Sequence, residues 1–133
     1  MSKPEQHQHK LLAHWAAGCA EHVLPVFEEL NPEDARPRKA IDAVRAWICD
    51  EMKVSEVRKF AFAAHAAARE AGSPQSIAAA RAAGHAAATA HVASHAKHAA
   101  SYALKAAGDP IAEKQWQLLT FPESGELSNA MES

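Results

Sequence analysis

Three histidines, His91, His95 and His98, are spaced by four and then three residues. On an α-helix turning by roughly 100° per residue they fall within an arc of roughly 60°, and Tyr102 continues the same stripe. Two imidazoles at i and i+4 can reach one tetrahedral ion, the geometry zinc and similar borderline divalent metals accept. His91 and His95 are therefore candidate ligands for a metal or a small molecule, with His65, His85 or His98 as a third. His85 is expected to project elsewhere on the helix, and His65 joins only if its own helix packs alongside. The same five rings can equally be half-buried polar groups hydrogen-bonded to carbonyls or carboxylates, and the spacing leaves both readings open. In either case an imidazole held neutral by burial must charge on acidification, so the fold is expected to weaken below about pH 6.

These histidines lie in an unusual stretch: residues 61 to 107 contain 23 alanines in 47 positions and five of the nine histidines. Alanine is the strongest helix former and has almost no packing volume, which predicts close-packed helices around a thin core. The predicted fold class is all-α, a compact alanine-rich bundle of about five to six helices, with one domain over 1–120 and a flexible acidic tail over 121–133.

Apolar residues at Leu11, Leu12, Trp15, Cys19, Val23, Phe27 and Leu30 mark a first helix, which Pro25 is expected to kink or end. His7 and His9, ahead of it, are expected to fray in solvent. Ile41, Val44, Trp47, Ile48 and Met52 stripe a second helix with Pro37 in its first turn, and Arg38, Asp42 and Arg45 are placed to pair along it. A third is expected from an N-cap at Ser55, with Val57, Phe60, Ala61, Ala64 and Ala68 facing inward. Gly72-Ser73-Pro74 ends it and starts the next. An unbroken helix from 74 to 107 would span about 51 Å, so a break is expected near Gly84. Gly108-Asp109-Pro110 closes that helix, and 111–119 forms a last one anchored by Trp116, Leu118 and Leu119.

The formal net charge of −2 supplies no basic footprint for nucleic acid. Residues 61 to 108 are locally basic, four Lys/Arg against one Asp/Glu, whereas 109 to 133 hold one against five. The first ten residues lack the apolar run of a signal peptide and no stretch is long enough to cross a membrane, so a cytoplasmic chain without membrane contact is expected. Cys19 and Cys49 sit in apolar helical patterns as free thiols. No Glu-x-x-His pair of a di-metal bundle, no glycine-rich phosphate loop and no nucleophile elbow occurs, so no catalytic residues are assigned. An anion could sit among Arg36, Arg38, Lys39 and Arg45, which otherwise form a solvated charged face. Trp15, Trp47 and Trp116 fall on apolar stripes as core anchors.

Several segments together resemble the Imm-five-like family of small bacterial immunity proteins associated with polymorphic toxin systems. They are Leu12-Ala-His-Trp-Ala-Ala-Gly-Cys-Ala-Glu21, Val23-Leu-Pro-Val-Phe-Glu28 and Arg36-Pro-Arg-Lys-Ala-Ile-Asp-Ala-Val-Arg-Ala-Trp47, followed by Ala64-His-Ala-Ala-Ala-Arg69, Ala82-Ala-Gly-His-Ala-Ala-Ala-Thr-Ala-His-Val92 and Glu113-Lys-Gln-Trp-Gln117. The resemblance implies an all-helical protein that neutralises a partner toxin by binding it, and it supplies no catalytic residues. Two further functions are open from the residues themselves: the histidine metal or ligand site, and self-association through an alanine-rich helix face.

Overall fold

The computed structural model describes residues 2–122. Six helices follow one another, α1 (Lys3–Leu30), α2 (Arg36–Ile48), α3 (Val54–Glu70), α4 (Pro74–Ala88), α5 (His95–Ala106) and α6 (Pro110–Thr120), with no strand among the described residues. The all-α expectation holds. Of the tail expected at 121–133, residues 123–133 lie outside the described part.

The helix ends follow the local chemistry. The Ser2 hydroxyl accepts from the Glu5 N–H at 3.2 Å, Ser73 from Ser76 at 3.0 Å, and the Asp109 carboxylate from Ala112 at 3.1 Å. Each cap satisfies one of the N–H groups that a helix start leaves unbonded, and a proline follows each within the first two helical positions. The third helix begins at Val54 after Lys53, slightly before the Ser55 cap expected from sequence.

Of the two outcomes expected at Pro25 the helix end does not occur, and the position of the later break is corrected. α1 runs unbroken through Pro25, whose side chain is exposed. The carbonyl of Glu21 that proline leaves unbonded lies on an exposed residue, so water can satisfy it. The break expected near Gly84 occurs instead over 89–94. There the Thr89 hydroxyl bonds back to the His85 carbonyl at 2.9 Å, and the Thr89 carbonyl accepts from His9 Nε2 at 2.5 Å. A helix continuing past Thr89 would need that carbonyl for the N–H four residues on, so a partner 80 positions away in sequence terminates it.

α4 lies at the centre, packed against α1, α2, α3 and α5, while α6 rests on α5 at the edge. Among the described residues, 23 of the 30 buried apolar side chains are alanine. The larger ones, Leu24, Phe27, Ile41, Val44 and Val57, come from α1, α2 and α3, and the alanine stripes of α4 and α5 fill the remainder. Those stripes are thus packed within the chain. Arg36 pairs with Asp34 and Glu70, Arg38 with Glu28, and Arg45 with Glu21. These contacts tie α2 to its neighbours, not along itself to Asp42 as expected, and they neutralise three of the four cations considered for an anion site. Cys19 is buried, but Cys49 is exposed, so its assignment to an apolar stripe is also corrected.

Candidate functional site

The structure gathers four of the five candidate histidines and separates the fifth. His85, near the end of α4, is the hub. Its ring stacks on Tyr102 at 5.2 Å between centroids and 8° between planes, lies 5.2 Å from His95 and 5.3 Å from His98, and meets His65 edge-on at 4.9 Å. His85, a candidate third ligand expected to project elsewhere on its helix, therefore faces the cluster. His91 falls in the turn between α4 and α5, exposed, and does not share a helix with His95. The i, i+4 pair disappears because the helix breaks between its members.

Three of the cluster's ring nitrogens have partners in the fold. His85 Nδ1 and His95 Nδ1 lie 3.0 Å apart, so one ring donates and the other accepts. Arg81 donates to His65 Nδ1 at 3.1 Å, and the face of that ring lies over Gly84. A Cβ at position 84 would lie 2.6 Å from Nε2 and 2.7 Å from Cε1; the glycine is the seat of the His65 ring. One of the two His65 nitrogens is thus already engaged by Arg81. Among the described residues, no three His, Cys, Asp or Glu side chains are placed to hold a metal ion.

The electrostatics match this closed arrangement. Burial, reinforced by the charges of Arg81, Arg69 and His95, pushes the His65 ring down to about 4. Burial also pushes His85 down to about 4, with His65, His95, His98 and Arg81 adding to it. His95 is lowered by burial and then by His98 and His91. No carboxylate bonds any of these rings among the described residues, so His65, His85 and His95 are held toward the neutral form beside fixed cations.

His91 lines a separate cleft of about 420 Å³ with His9, Lys10, Trp47 and Asp50. His9, expected to fray, is only 7% exposed and lies 4.9 Å from the Trp47 ring. Because its Nε2 donates to the Thr89 carbonyl, its Nδ1 carries the lone pair. Asp50 has φ 61°, the one left-handed non-glycine residue among those described, and its carboxylate holds Lys10 at 2.7 Å. The sequence did contain a signal for His9: it stands four residues before Ala13 and seven before Ala16, on the buried stripe of α1.

At the opposite end, α6 inverts its predicted faces. Its buried residues are Glu113 and Gln117, with Trp116 half-buried, whereas Ile111, Leu118 and Leu119 are 75%, 66% and 84% exposed and Phe121 is 41% exposed. Leu118 and Leu119 are thus not core anchors. Polar contacts fasten the helix: Gln117 donates to the Ala100 carbonyl at 2.8 Å, Trp15 donates to the Gln117 carbonyl at 3.1 Å, and His22 Nδ1 meets Glu113 Oε2 at 2.7 Å. The other Glu113 oxygen is buried without a hydrogen-bond partner among the described groups. Its charge and burial together push the Cys19 thiol up to about 12, burial being the larger cause.

An alanine-cored, six-helix protein with polar-fastened α6 and its apolar residues turned outward is the class that fold and surface define. A family model described as "Imm-5 like putative immunity protein" matches residues 2–123, and the chain belongs to that family. No curated protein and no solved structure matches it. No helix among the described residues is long and apolar enough to cross a membrane.

Proposed function

We propose that the protein acts as an immunity-type binding protein, neutralising a partner toxin by direct contact through the outer face of α6. The observation that carries this reading is the exposure of Ile111, Leu118, Leu119 and Phe121 on one terminal helix. Singly exposed apolar residues are ordinary, but several large ones gathered on a single short element mark an interaction surface. Membership of an immunity family supports a protein partner over a small substrate. Exposed apolar residues cost little in the free protein and become the buried centre of an interface, where most binding energy resides.

The test is co-expression with the toxin encoded in the same locus, read as host growth, with the purified pair examined by size exclusion and calorimetry. Protection and a stoichiometric complex are expected from the wild type, and Leu118→Asp/Leu119→Asp should lose both while keeping its helical spectrum. Full protection by that variant would refute the assignment of this face, and absence of any complex would refute toxin binding.

A further inference from the structure

We propose that the groove between α5 and α6 receives an acidic, apolar-faced helical segment of the partner polypeptide. This rests on the partner-binding reading and adds the chemistry of what is bound. The groove measures about 340 Å³, with Trp15, Leu104, Leu118 and Phe121 among its walls and Lys97 and Lys114 on opposite helices beside it. Trp15 and Phe121 meet edge to face at 4.9 Å, which fixes one end.

Two donors of its floor are already spent within the fold: Gln117 Nε2 reaches the Ala100 carbonyl and Trp15 Nε1 reaches the Gln117 carbonyl. An occupant need not satisfy these two, and beside the Ser101 hydroxyl its main task is to cover the apolar walls. The rim makes the opposite demand. Like most lysines among the described residues, Lys97 and Lys114 form no ion pair, and here the two stand on either side of an apolar trough. Among the described residues no carboxylate lines the groove. Two unpaired ammonium groups flanking an apolar trough are complementary to an amphipathic segment whose apolar stripe is bordered by glutamate or aspartate. The lining runs from Lys97 to Leu104 on α5 and from Lys114 to Phe121 along α6 and its end, so the trough suits about two turns of helix, about 11 Å.

The probes are two synthetic peptides of about 14 residues with leucine at helical spacing, one flanked by glutamate and one by lysine, titrated against the full chain by fluorescence anisotropy. Saturable binding of the glutamate peptide is expected, at least about tenfold tighter than the lysine peptide and weakening with added salt. Lys97→Glu/Lys114→Glu should reverse that preference, and Leu118→Asp, at an exposed position, should weaken both peptides without altering the circular dichroism spectrum. Equal affinity for the two peptides, or a preference that survives charge reversal, overturns the proposal. So does tight binding to phosphatidylglycerol vesicles with no discrimination between peptides, which would make the surface a membrane contact. Growth protection that persists while the peptide experiment fails relocates the partner to another face; peptide binding without protection sinks the immunity reading and leaves the groove.

Discussion

Acidification from pH 7 to pH 5 should destabilise this protein through the His65 and His85 rings. Both titrate near 4 when folded and near their ordinary value of 6.5 when unfolded. Between those limits the unfolded chain binds protons that the folded cluster refuses, so stability is fully present above about pH 6.5 and drains away as pH falls toward 4. Taken at face value, each ring forfeits about 2 kcal/mol by pH 5. The rings are only half-buried, and solvent screening reduces this; a combined loss of about 2–3 kcal/mol is the working figure. For a chain of 133 residues that corresponds to a fall of about 7–10 °C in Tm. Urea and thermal denaturation followed by circular dichroism across pH 7.5 to 4.5 would measure it. His65→Gln/His85→Gln, which cannot charge, should be less stable at pH 7 but nearly level over the same window. A flat wild-type profile, or an equal slope in the double variant, would refute the account.

Gly84→Ala should destabilise by about 1–3 kcal/mol despite alanine's better helix propensity, because its Cβ would meet His65 Nε2 at 2.6 Å. In the His65→Ala background the same change should become neutral or favourable, which a double-mutant cycle in urea would show. His9→Ala should cost about 1–3 kcal/mol and speed amide exchange in the 89–94 turn, since it removes the donor to the Thr89 carbonyl. Ellman's reagent should titrate one thiol quickly, Cys49, and leave Cys19 unreacted until unfolding, as burial and the Glu113 charge hold that thiol protonated to about 12. One equivalent of zinc should move Tm by less than about 1 °C, given that no three ligating groups converge among the described residues. A larger rise that the His85→Ala variant abolishes would assign an ion to His85 and His95.

The parts legible in the sequence were those written in adjacent residues. Ser73 and Pro74, and Asp109 and Pro110, mark helix starts by chemistry that acts within one turn, and alanine bias announced the kind of core. What escaped was decided by distant neighbours. Gly84 resembles a breaker, yet it stays helical because a ring from α3 occupies the space a side chain would need. Thr89 carries no strong stop signal until His9 takes its carbonyl. The candidate site followed the same division: histidine enrichment pointed at the right rings, and one misplaced break set His91 on a stripe with His95 and turned His85, still a candidate, to another face of the helix. On α6, leucines passed for anchors because hydrophobicity alone does not reveal that Gln117 and Glu113 take the inner face.

The alanine core has a consequence for how this chain can change over time. A leucine-rich interior can be eroded a methylene at a time, leaving voids that neighbours partly fill. Here most interior positions already hold the smallest side chain with a Cβ, and nearly every replacement is an enlargement into occupied space. Alanine also has no rotamers to rearrange in response. Tolerance should therefore run in one direction: the exterior, α6 above all, can diversify freely toward new partners, while α4 and α5 act as a fixed spindle whose interior residues drift very little.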